Sequence, residues 1–117
     1  MMDAGASGDL RERTRTPTRL RVTAIIEAHG ILQGYVRDIS INGASLYVEH
    51  NLHIHKSIEL QLIIPPQVVN EPPRVVVVAG KIVYSVYESY ELGFRAGIHF
   101  LKFNNEADIA YLQSRIV

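Results

Sequence analysis

Asp38-Ile39-Ser40-Ile41-Asn42-Gly43 is the stretch on which the reading of the fold turns. Alternation with a period of two puts Asp38 and Ser40 on one side of a strand and Ile39 and Ile41 on the other, so the isoleucines can enter a core while the polar pair stays outside. Asn42-Gly43 is the strongest local hairpin signal, because a two-residue type I′ loop needs positive φ at both positions and these residues tolerate it. The chain is expected to double back directly after a small polar ledge.

Strand patterns extend from this hairpin in both directions. Upstream lie Leu20 to Glu27, a turn at Ala28-His29-Gly30, and Ile31 to Ile41. Downstream, Ala44 to Glu49 sets Leu46 and Val48 opposite Ser45 and Tyr47. Lys56 to Ile64 alternates Ile58, Leu60 and Leu62 against Glu59 and Gln61 until Pro65-Pro66 stops it. A proline-rich loop, Gln67 to Pro73, leads to the Val75 to Val78 run, which continues through Lys81 to Tyr87. An unbroken valine run suits a strand covered on both faces, or one closing a barrel. Glu88-Ser89-Tyr90 turns the chain into a last strand, Glu91 to Phe103. Asn105 is placed to cap a helix over 105–116, with Glu106 and Asp108 favourable near its amino end and Ile109, Leu112 and Ile116 at helical spacing. The expected fold is mainly β: a small six-stranded antiparallel barrel with one C-terminal helix packed on an opening or side.

A chain of 117 residues suits one domain. Twelve Lys and Arg balance twelve Asp and Glu, so bulk attraction to polyphosphate is not its theme and any phosphate site must be local. With no cysteine there is neither a disulfide framework nor a thiolate site. The start, Met1 to Asp9, lacks the basic and apolar regions of a signal peptide, and no apolar run is long enough to cross a bilayer, so a cytoplasmic protein without membrane insertion is expected. Residues 1 to 10 are expected to be disordered. Leu10-Arg11-Glu12-Arg13-Thr14-Arg15-Thr16-Pro17-Thr18-Arg19-Leu20-Arg21 follows, rich in arginine and without apolar periodicity. Pro17 opposes a helix through it, so it reads as a flexible arm leading into the domain.

Arg11-Glu12-Arg13-Thr14-Arg15 has the form RxxxR, and Asp38-Ile39-Ser40-Ile41-Asn42-Gly43 has the form [DN]xSxxG, in that order with the first barrel strand between them. With the six-strand pattern, Gly97-Ile98-His99-Phe100 in the last strand and the C-terminal helix, the chain resembles a PilZ domain, the bacterial receptor module for cyclic di-GMP. The resemblance covers residues 11–117, as an arm (11–18), a barrel (19–103) and a helix (105–116). It implies that Arg11, Arg15, Asp38, Ser40 and Gly43 bind cyclic di-GMP, that the protein is not an enzyme, and that occupancy is passed to a partner protein. Arg15 to Arg19 is also RxxxR. Arg11 and Arg15 are preferred because Arg19 sits where the first strand begins, and Arg13, Arg19 and Arg21 are left as auxiliary phosphate contacts or solvated charge. Leu10 stands where some members carry a further arginine, which implies one ligand per site.

The residue chemistry agrees with that implication. A guanidinium presents a planar fork of donors that matches guanine O6 and N7 or two phosphate oxygens, and its plane stacks on purines. Asp38 as a carboxylate can accept from guanine N1 and N2, which adenine does not offer in that arrangement. Ser40 adds a hydroxyl on the same face, and Gly43 allows close approach to the backbone. An arginine contact of about 1–3 kcal/mol barely offsets the roughly 1–2 kcal/mol of ordering each residue, so a ligand must bridge arm and barrel through many contacts. The expected response is closure of the arm over Asp38 and Ser40, creating a new surface for a partner.

Other constellations carry less. His50, His53 and His55 lie in a loop with no carboxylate or cysteine beside them, which suits an exposed loop or subunit contact better than a metal. Tyr84, Tyr87 and Tyr90 offer stacking faces but equally serve packing. No nucleophile has an evident base. Two further readings remain: a PilZ-fold interaction module working without nucleotide, as in type IV pilus assembly, and a small barrel binding single-stranded nucleic acid. Neutral charge and the acid at Asp38 disfavour DNA or RNA. The strand from Val75 to Val83, or the helix face at Ile109 and Leu112, would serve a homodimer or the core.

Overall fold

The computed structural model describes residues 16–27, 30–89 and 93–115. Arg11, Arg15 and the expected disordered start lie outside the described residues. The strands are β1 (Thr16–Pro17), β2 (Arg21–Ile26), β3 (Gly30–Ser40), β4 (Gly43–Val48), β5 (Ser57–Ile64), β6 (Arg74–Glu88) and β7 (Gly93–Phe103), followed by the helix α1 (Ala107–Arg115). All pairings are antiparallel, in the order β3-β2-β5-β6-β7-β4, and β4 returns to β3, so six strands form a closed barrel.

The alternation read in the sequence is what fills this barrel. Val22, Val36, Ile39, Leu46, Leu60, Leu62, Val76, Val78 and Ile82 are fully shielded, each on the inward phase of its strand. Each such side chain contributes about 1.5–3 kcal/mol of burial. The valine run of β6 has one wet face: Val76 and Val78 are buried, whereas Val75 is 49 % exposed. It belongs to a barrel wall, not to a strand covered on both sides. Leu112 is fully buried and Ile109 packs against the core, so this face of α1 serves the fold.

The hairpin after the ledge differs from the type I′ turn expected at Asn42-Gly43. Ser40 pairs with Gly43, which makes Ile41-Asn42 the turn, and positive φ among the described residues occurs at Gly30, His55 and Asn70 instead. The Ser40 hydroxyl accepts the Asn42 N–H at 3.2 Å and holds the reversal one residue earlier. Gly43 is then a strand residue whose requirement is space. A Cβ there would run into the Ile98 carbonyl oxygen of β7.

Thr16-Pro17 falls within the expected flexible arm, where Pro17 opposes a helix. The structure pairs Thr16 with Ile39 and Pro17 with Asp38, continuing the line of β2 along the same edge of β3. Thr18 donates to the Arg37 carbonyl at 2.9 Å. A proline is tolerated here because β1 is only a two-residue outer piece.

Asn105 caps α1 as expected: its side-chain oxygen accepts the Ala107 N–H at 3.0 Å. A second tie fixes the helix. Asp108 Oδ1 accepts from Arg74 Nη2 at 2.7 Å and Nε at 3.1 Å, while the guanidinium lies 4.1 Å from the Tyr111 ring centroid. The Asp108 side chain is 7 % exposed and that of Arg74 42 %, so water screens only one partner. Arg74→Met strands the carboxylate and should cost about 1–3 kcal/mol, less than for a fully buried pair. Urea denaturation should show the lower midpoint, and adding Asp108→Ala should restore part of it; an unchanged midpoint in Arg74→Met refutes the role.

Candidate functional site

On the outer wall of β3, β4, β7 and β6 the registers set Asp38 beside Ser45, Ser45 beside Gly97 and Gly97 beside Tyr84. Gly97 leaves room for the Tyr84 ring to lie flat across β7, where a Cβ would collide with it. The Tyr84 hydroxyl reaches the Ser45 hydroxyl at 2.9 Å. This cover explains why Ser45, though it points out of the barrel, is buried. Arg95, one pair further along, has its guanidinium carbon 5.6 Å from the Tyr84 ring centroid and its Nε 3.5 Å from Glu88 Oε1. That ion-pair contact falls short of a hydrogen bond, and Arg95 Nε is buried without a hydrogen-bond partner among the described residues.

Two open grooves flank this row. One, of about 440 Å³, is lined by Ser40, Asn42, Gly43, Tyr84, Gly97 and His99. The other, of about 280 Å³, is bordered by Arg19, Tyr35, Tyr47 and Phe94. Arg19 stacks over Tyr35 at 4.8 Å. Along β3, Asp38 falls between Tyr35 and Ser40, and so stands between the grooves.

Asp38 and Ser40 share the outer face as the alternation requires, but they are not equivalent. Ser40 is 2 % exposed with its oxygen engaged by the turn, whereas the Asp38 side chain is 16 % exposed and meets Arg37 Nη1 at 3.2 Å. Gly43 lines the groove through its backbone. Sequence reasoning missed Arg37, Ser45 and Arg95 as neighbours of the ledge and left Tyr84 open between a stacking face and packing. Their proximity comes from cross-strand register, which also lays the Tyr84 ring over Gly97 and beside Ser45. His50, His53 and His55 are exposed in the β4–β5 loop, and among the described residues no three His, Cys, Asp or Glu groups gather as a metal site. Tyr87 meets Phe94 edge to face at 5.6 Å, and Tyr90 lies outside the described residues.

A closed small barrel with its polar row and both grooves on the outside has the form of a surface-binding module. Comparison with protein-family models matches residues 9–116 to the PilZ domain, and the chain belongs to that family. PilZ domains are binding modules that generally take cyclic di-GMP. No curated protein matches the chain. Among the described residues no helix is long and apolar enough to cross a membrane.

Proposed function

We propose that this protein is a cytoplasmic cyclic di-GMP receptor without catalytic activity. Arg11 and Arg15 supply guanidinium groups to phosphate and purine, Asp38 accepts from a guanine edge, and Ser40 and Gly43 form the floor. One ligand binds per chain, Leu10 offering no face for a second. Binding closes the arm over the barrel wall, and the combined surface is read by a partner protein.

The observation that supports this most is the register of β1. Thr16 pairs with Ile39 and Pro17 with Asp38, so the chain leaves the RxxxR motif directly alongside the ledge. Arg15 directly precedes Thr16 in the sequence, so the pairing of β1 supports bringing the two motifs to one edge.

Titration calorimetry at physiological salt tests the proposal. The native chain should bind one cyclic di-GMP, and Arg15→Ala should bind about ten- to hundredfold more weakly with an unchanged β-sheet circular dichroism spectrum. Absence of binding to the native chain overturns it and leaves the nucleotide-independent interaction module.

A further inference from the structure

Neighbours in a strand normally point to opposite faces, yet Arg37 and Asp38 form an ion pair, Nη1 to Oδ2 at 3.2 Å. The cause is a register shift between Val36 and Asp38, where β3 bulges against β4. A bulge adds a residue without a partner and re-aims a side chain. Arg37 is thus brought to the ledge, its side chain 42 % exposed beside the 16 % exposed carboxylate.

We infer that Arg37 and Asp38 act as one composite reader of guanine, a role that rests on the cyclic di-GMP reading above. The Watson–Crick edge of guanine presents an acceptor, O6, followed by two donors, N1–H and the N2 amine. A carboxylate alone answers the two donors. A carboxylate with a guanidinium at its side answers all three, Arg37 donating to O6 while Asp38 accepts from N1 and N2. The guanidinium carries five N–H donors, so its bond to Asp38 persists while it serves the base. Adenine meets the pair in the wrong order: its N6 amine faces Arg37, donor against donor, and no second amine reaches Asp38. Arg37 therefore sets base specificity, separately from the arginines of the arm.

Calorimetry on the full chain and on Arg37→Met, with cyclic di-GMP as ligand and cyclic di-AMP as competitor up to millimolar concentration, tests this. The variant should melt as the native chain does, bind cyclic di-GMP about ten- to hundredfold more weakly, and show a narrower preference for cyclic di-GMP over cyclic di-AMP. Equal affinity in the two proteins, tighter binding by the variant, or a base preference that does not narrow overturns the inference. If the native chain binds no cyclic di-GMP, the functional reading and this inference fall together; if it binds and Arg37→Met matches it, only the inference falls.

Discussion

Asp38→Ala is expected to weaken cyclic di-GMP binding at least hundredfold while leaving the melting temperature almost unchanged. The two halves of this expectation have different physical origins. In the folded protein Asp38 lies on the outer wall, and its contact with Arg37 joins a partly exposed carboxylate to a guanidinium that is 42 % exposed. Pairs of that kind contribute about 0.2–1 kcal/mol, so losing this contact costs the barrel little. In the proposed complex guanine changes the balance, because both N1–H and N2–H would donate to the carboxylate. Hydrogen bonds to charged groups are worth about 1.5–3 kcal/mol each, and losing two removes roughly 3 kcal/mol or more, a factor of a hundred or greater. Calorimetry paired with thermal melting separates the terms. Binding retained within tenfold removes Asp38 from the site, and a large fall in melting temperature makes it a structural residue.

The second large effect is expected at the other end of the motif and of the opposite kind. Gly43→Ala should destabilise the fold by about 3 kcal/mol and lower the melting temperature by roughly 10 °C. The obstacle is the Ile98 carbonyl oxygen in the neighbouring strand, a backbone atom that cannot swing aside as a side chain would. Relief requires β4 and β7 to separate where Gly43 pairs with His99 and Ala44 with Ile98. Among molecules that remain folded, cyclic di-GMP affinity should change less than tenfold. A variant of native stability that has lost binding would instead mean that the ligand, not β7, needs the space a side chain at Gly43 would fill. Denaturant titration and calorimetry on one preparation distinguish the outcomes.

The barrel was legible because its rules are local. Period-two alternation at the end of β3, in β4 and in β5 located the core, the two prolines after Ile64 ended β5, and Asn105 with Ile109 and Leu112 announced α1. Where expectation and structure part, a longer-range effect decides. Asn42-Gly43 has the chemistry of a type I′ loop, but the Ser40 hydroxyl and the close approach of β7 shift the turn to Ile41-Asn42. Pro17 argued against helix and left the segment as an arm, and its pairing with Asp38 depends on an edge of β3 that β2 leaves open. The site was half legible. Asp38, Ser40 and Gly43 form a contiguous motif, whereas Arg37 joins the ledge only through a bulge, and Tyr84 reaches Ser45 across 39 positions of sequence. Arg74 and Asp108, 34 positions apart, became a pair only once α1 had docked.

The two-residue strand β1 acts as a hitch. It clamps the chain to β3 at Ile39 and Asp38, so the point from which the preceding segment is tethered lies one residue from the carboxylate. The proposed closure of that segment over the ledge would therefore be unimolecular, with an effective concentration in the millimolar range or above for so short a leash. Glycines and serines spliced between Arg15 and Thr16 would lengthen the leash and dilute that concentration by roughly the three-halves power of its length, turning the affinity of the signal into a quantity set by arithmetic.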